Sequence, residues 1–120
     1  MKILDANIFI YAAQSEYAHL RPMLINQNCV VSDITRVEVL GFHRLNQKSK
    51  AYFEAVFQRM VCLPVTTDVL DQAILFRQTK KMSLGDSILA ATALINNFEL
   101  NTRNVSDFAH ISGLVVVNPV

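Results

Sequence analysis

Five short apolar runs, at residues 2–5, 29–32, 60–64, 98–101 and 114–117, are separated by longer stretches of helical periodicity, and this alternation constrains the chain more than any other feature. Each run is rich in Val, Ile, Leu or Phe and stops at a polar or turn residue, as strands buried on both faces do. The stretches 7–13, 16–26, 34–46, 49–59, 68–80 and 84–97 carry helical spacing. In the last, Leu84, Ile88, Ala91 and Ile95 recur at that spacing and Ala90, Ala91 and Ala93 favour helix. Strand alternating with helix predicts an α/β fold, a parallel sheet with helices on both faces. A length of 120 residues with 52% apolar content suits one such core, and no repeat or linker interrupts it, so a single domain over 1–120 is expected. Residues 41–59, with Gly41, Asn46 and a Lys/Arg/Gln-rich stretch, read as a helical hairpin on the surface.

Composition excludes several classes. Only 18% of residues are charged and the formal net charge is +1, the opposite of a disordered tail and unlike a protein that holds nucleic acid by charge alone. Cys29 and Cys62 each sit in an apolar run without Cys-x-x-Cys spacing or a nearby histidine pair, so both are expected to be buried, reduced thiols rather than zinc ligands. Asp5 and Asn7 interrupt the apolar start, no A-x-A-like cleavage site follows, and no run approaches the roughly 18 apolar residues of a membrane helix. A cytoplasmic protein with no membrane association is the expectation.

With so few charges, the positions of the acids are informative. Asp5 ends the first predicted strand, where it or Asn7 would cap the next helix. Glu38 follows the second strand within a helix opened by Ser32 or Asp33, and its neighbours Ile34, Thr35, Gly41 and Phe42 offer no basic partner. Ser83-Leu84-Gly85-Asp86 has the form of a capping box, a structural role compatible with holding a cation, and the small Ala90 and Ala93 beyond it allow close approach of another element. Asp107, after the fourth strand, also suits a turn or a cap. In an open α/β sheet ligands bind beyond the carboxyl ends of the strands, which is where these four acids fall. Unpaired carboxylates sharing a pocket need compensating cations. An all-oxygen ligand set selects Mg²⁺ or Mn²⁺, and two such ions would balance four carboxylates and support phosphodiester hydrolysis.

Taken in order, Leu4-Asp5-Ala6-Asn7, Val37-Glu38-Val39-Leu40-Gly41, Leu84 to Ala93, Thr102-Arg103-Asn104-Val105-Ser106-Asp107-Phe108 and the closing Gly113 to Pro119 resemble a PIN-domain ribonuclease, in particular the VapC-like toxins of type II toxin–antitoxin modules. The resemblance implies a five-stranded parallel sheet of order 3-2-1-4-5, a homodimer, a cognate antitoxin protein as partner and RNA as substrate, with one or two Mg²⁺ or Mn²⁺ ions as cofactor. By position it implies Asp5, Glu38 and Asp86 as the core catalytic and metal-binding acids, Asp107 as a more variable fourth, and Asn7, Thr102 and Asn104 as supporting polar residues. Asp5 and Asp86 would hold the principal ion, with Glu38 completing its shell or orienting water. Arg103 is the local candidate for a phosphate contact, and Arg36, Arg44, Lys48, Lys50, Lys80 and Lys81 are candidates for an RNA track. Phe9, Tyr11, Phe53 and Phe57, read as lying on outer helices, are candidates for a dimer or antitoxin surface.

Two other metal-using α/β classes fit less well. A receiver-type domain needs an aspartate ending its third strand, where this chain has Leu63-Pro64-Val65, and a haloacid-dehalogenase-like phosphatase needs Asp-x-Asp where it has Asp5-Ala6-Asn7. The remaining alternatives are a non-catalytic PIN-fold module that binds RNA or protein, and a housekeeping RNA-processing nuclease.

Overall fold

The computed structural model describes residues 1–120. Five strands, β1 (Lys2–Leu4), β2 (Cys29–Ser32), β3 (Val61–Leu63), β4 (Glu99–Asn101) and β5 (Val116–Val117), form one parallel sheet in the order β3-β2-β1-β4-β5. The α/β class, the parallel sheet and the strand order are those expected. β1 is central, with Lys2 opposite both Cys29 and Glu99 and Leu4 opposite Asn101. From β1 the chain winds outward through β2 to β3, then returns to β4 on the other side. The topological switch therefore falls between β1 and β4, and their carboxyl ends open the crevice where such sheets bind ligands.

Alternation along the strands feeds two cores. Leu4, Cys29 and Val31 face one side, packing with α1 (Ala6–Ala12), α3 (Gln47–Arg59) and the 3-10 stretch Ser15–Ile25. Ile3, Val30 and Leu100 face the other, against α5 (Leu84–Asn96), Phe108 and Ile111. Val69 and Ala73 of α4 (Thr67–Thr79) then cover Ile88 and Ala91 of α5. Each α-helix starts on a polar side chain accepting an orphan N–H: Asp5 from Ala6, Ser32 from Ile34 at the start of α2 (Asp33–Leu40), Asn46 from Ser49, Thr66 from Val69 and Ser83 from Asp86. No helix is long and apolar enough to cross a membrane.

Several local expectations are corrected. The helix expected over 34–46 ends at Leu40, where Gly41 N–H closes on Val37 O, and turns lead on to the Asn46 cap. The stretch expected as helix 16–26 is 3-10, contains Pro22 and is broken by non-helical Tyr17. Phe9, Phe53 and Phe57 are not on an outer surface: all three are buried, Phe9 stacking on Phe57 at 4.9 Å between centroids and meeting Phe53 edge-on at 5.9 Å. Thus α3 is anchored by aromatic packing rather than forming a surface hairpin. In α5 the whole run Ser87–Ala93 is buried while Leu84 and Ile95 are exposed, because α4 and the sheet enclose its middle from opposite sides. Both cysteines are free; Cys29 is buried and Cys62 only half-buried.

Candidate active site

Asp5 occupies the mouth of the crevice. Its N–H continues the ladder to Asn101 O at 3.0 Å, and the backbone then turns so that its side chain caps α1. The carboxylate is 7% exposed and fully engaged: Oδ1 accepts from Ala6 N at 2.7 Å, and Oδ2 accepts from Thr102 Oγ1 at 2.8 Å and Asn7 Nδ2 at 3.4 Å. Thr102, the first residue after β4, is wholly buried. While donating to Asp5, its hydroxyl accepts from Asn7 Nδ2 at 3.2 Å and Asn104 N at 3.1 Å, which uses its one donor and two acceptor sites. Asn7 Oδ1 in turn accepts from Arg103 N at 3.2 Å. Asn7, Thr102 and Asn104 thus meet around Asp5, Asn104 through its backbone N–H. Burial raises the Asp5 pKa, the bonds from Thr102 and Ala6 oppose that rise, and the nearby charge of Asp107 adds to it.

The other acids are mounted on helices. Ser32 caps α2 and so sets the turn on which Glu38 projects, at the surface beside the start of α5. A Cβ on Gly85 would stand 2.6 Å from Glu38 Oε2 and 3.0 Å from its Cδ, so the Glu38 carboxylate occupies space that only glycine leaves free. Asp86 is the next residue of α5. Its N–H donates to Ser83 Oγ at 3.1 Å, but no bond returns from its carboxylate to the Ser83 N–H, so only half of the expected capping box forms. Partial burial, then the charges of Asp5 and Asp86, push Glu38 from an ordinary 4.5 up to about 7. Burial, then Asp5 and Asp107, push Asp86 from 3.8 to about 6 against the opposing Ser83 hydroxyl. Asp107, exposed in the 3-10 turn Val105–Asp107, shares with Asp86 a cleft of about 450 Å³ whose lining includes Ser83, Ser106, Lys80 and Lys81.

No basic side chain neutralises these acids, for the two ion pairs are Arg36–Asp33 at 3.4 Å and Lys50–Glu54 at 3.9 Å, both elsewhere. Of the expected RNA track, Lys80 and Lys81 line the acid cleft, whereas Arg36 borders a cavity beside Cys62 and Lys48 one beside Arg21. Arg44 lies exposed in the turn after α2, and Arg103 sits with its guanidinium 4.9 Å above the Tyr11 ring. No three His, Cys, Asp or Glu side chains converge into a ready-made ion cage. The acids surround the mouth of the crevice on separate elements, the spread that mutual repulsion favours. Their donor chemistry, carboxylate oxygens alone with no ion-pair partner, fits a hard divalent cation. Sequence reasoning missed the parts played by Gly85 and Tyr11. A glycine in the first turn of a helix, where it costs helix stability, was the available signal for the first; Tyr11 offered none.

The family profile described as PIN domain matches residues 2–114. Among solved structures, a chain of a toxin–antitoxin complex from Klebsiella pneumoniae is 27% identical with a TM-score of 0.81, the match covering 100% of this chain and 98% of that one. A chain of VapBC-1 from nontypeable Haemophilus influenzae is 26% identical with a TM-score of 0.74, covering 98% and 96%. A chain of DNA-bound VapBC from Salmonella typhimurium shares the fold at 20% identity, with a TM-score of 0.80 and coverage of 98% and 96%. No curated protein sequence matches.

Proposed function

Because the chain belongs to the PIN-domain family, we propose that it is an endoribonuclease dependent on Mg²⁺ or Mn²⁺, and that it is the toxin of a toxin–antitoxin pair. The observation that carries the catalytic reading is the placing of Asp5, Glu38 and Asp86 around one crevice: burial and then neighbouring carboxylate charge, that of Asp5 among them, raise the pKa values of Glu38 and Asp86, and none of the three acids has a Lys or Arg ion-pair partner. The toxin reading is supported by near full-length similarity to a chain of a toxin–antitoxin complex and to a chain of VapBC-1. On this reading residues 1–120 constitute one PIN domain, acting in the cytoplasm as a homodimer that a cognate antitoxin holds in check.

Asp5, Asp86 and Glu38 would hold the principal ion, and Asp107 a second. A bound divalent ion supplies charge stabilisation at the scissile phosphate and a more acidic water. Thr102 and Asn7 fix the Asp5 carboxylate in one rotamer, so its orientation is set before substrate arrives. Glu38, whose carboxylate lies against Gly85, would complete the shell of the principal ion or orient water and accept its proton. Lys80 and Lys81 would provide positive charge for a polyanion along the side of the cleft that holds Asp86 and Asp107.

The test is cleavage of a mixed RNA pool with Mg²⁺ or Mn²⁺ by the wild type and by Asp5→Asn, with chelator as a control. Wild-type cleavage that Asp5→Asn and chelator both remove is expected; equal activity in the two proteins would overturn the assignment. Induced expression should arrest growth, and Asp86→Asn should relieve the arrest.

A further inference from the structure

Arg103 stands beside the acids yet pairs with none of them. Its backbone N–H is tied to Asn7 Oδ1 at 3.2 Å, and its guanidinium lies over the ring of Tyr11 at 4.9 Å. Asn7 and Tyr11 are one helical turn apart on α1, so they share a face, and Arg103 spans that turn from backbone to side-chain tip. Tyr17 braces the ring from the edge, its own centroid 4.8 Å away. An exposed arginine near several carboxylates would ordinarily swing onto one of them in bidentate fashion. Here the aromatic face offers a competing site, and a guanidinium lying on a ring keeps its N–H edges free.

We propose that Tyr11 is a positioning residue for RNA recognition. It holds Arg103 off the acids, leaving the guanidinium fork to grip a phosphate of the RNA strand next to the one being cut. This deepens, and rests on, the nuclease reading. The acid cluster repels a polyanion, and Lys80 and Lys81 offset that only on the side of Asp86 and Asp107. A strand crossing Asp5 also passes the α1 side, and there Arg103 is the cation adjoining the Asp5 network. Without the ring, Arg103 is free to swing toward Asp107, which is exposed and has no ion-pair partner, and its charge is lost to the substrate.

The experiment measures binding of a fluorescently labelled single-stranded RNA by anisotropy over a salt series, with Ca²⁺ replacing Mg²⁺ to prevent turnover, for wild type, Arg103→Ala, Tyr11→Leu, Tyr11→Phe and the Arg103→Ala/Tyr11→Leu double variant. Steady-state cleavage is run in parallel. Arg103→Ala should weaken binding by about 10-fold and lower the salt slope by about one. Tyr11→Leu should do nearly the same, raising KM with kcat little changed. Tyr11→Phe, which keeps the ring, should behave as wild type, and the double variant should be no weaker than Arg103→Ala alone. Additive losses in the double variant, or an unchanged salt slope in Tyr11→Leu, would overturn the proposal while leaving the nuclease reading intact. Failure of the wild type to bind RNA would overturn both.

Discussion

Asp5 and Asp86 stand at the same end of the sheet but are held in opposite ways. Asp5 is buried at the tip of the central strand, with three donors on its two oxygens and a threonine behind it whose hydrogen-bonding capacity is spent. Asp86 projects from a helix into a cleft shared with Asp107, and Glu38 projects from another helix beside Gly85; the charges that raise their pKa values are those of other carboxylates. The first corner resembles a finished protein interior, with each polar group satisfied by protein. The second has like charges near one another, and neither Lys80 nor Lys81 on its rim forms an ion pair with them. The contrast suggests a division of labour: the strand-end corner supplies a fixed reference, and the helix-borne pair supplies the affinity for a cation that closes the site.

The most severe way to break this comparison is to neutralise one acid on each side. Both Asp5→Asn and Asp86→Asn should lower RNA cleavage by at least about 100-fold, since either removes charge that holds the ion. Their stabilities should part company. At Asp5 an amide presents N–H to donors that need an acceptor, costing about 1–3 kcal/mol, whereas Asp86→Asn relieves repulsion and should raise the melting temperature measured in chelator. A matched fall in stability for both would erase the distinction between the corners. Next in size is Thr102→Val, which takes one hydrogen bond each from Asp5 Oδ2 and Asn7 Nδ2, leaving them only each other at 3.4 Å, and strands Asn104 N. It should cost about 1–3 kcal/mol by denaturant titration and about 10- to 100-fold in activity, with Thr102→Ser restoring both.

The two corners also differed in how far the sequence revealed them. Strand runs, caps and the acids at strand ends were legible because each is a local pattern: Asp5, Ser32 and Ser83 are polar residues immediately before helical periodicity, and they do cap. What the acids lean on was not legible. Thr102 reaches Asp5 across 97 positions, and Glu38 meets Gly85 from another helix; no periodicity encodes such pairings. The family resemblance singled out Thr102 without its geometry. The same limit explains the misplaced aromatics. Phe53, Val56 and Phe57 have the i, i+3, i+4 spacing of a core-facing stripe, but the element that stripe meets, α1 through Phe9, is a long-range pairing that spacing does not encode.

Gly85 permits a sharper and smaller test of the helix-borne side. Replacement by alanine puts a methyl group where Glu38 Oε2 now lies, but the obstructing atom is the end of a flexible side chain, so the fold can yield cheaply. Gly85→Ala should therefore leave stability unchanged or raise it by up to about 1 kcal/mol from the better helix former. Cleavage should still fall, by about 10-fold, because Glu38 is displaced from Asp86. Loss of activity without loss of stability separates placement of the carboxylate from integrity of the fold; unchanged activity would show that the position of Glu38 is immaterial.

The smallest effect is a pH dependence whose sign follows from the raised pKa values. In the unfolded chain Glu38 and Asp86 lose their protons near their ordinary values of 4.5 and 3.8, whereas in the folded protein they keep them up to about 7 and about 6. Between these limits the folded state binds more protons than the unfolded one, so the contribution of this pair falls as pH rises from about 4 to about 7 and levels off above. A divalent cation needs the ionised forms, so its stabilisation should grow across the same window. Melting curves with and without Mg²⁺ should thus show a gain of a few degrees at pH 8 and almost none at pH 5. Asp86→Asn should flatten that difference, while Thr102→Ser, which alters only the strand-end corner, should keep it. A Mg²⁺ shift of equal size at both pH values would mean that the ion is held by acids with ordinary pKa values, and the contrast between the two corners would fail.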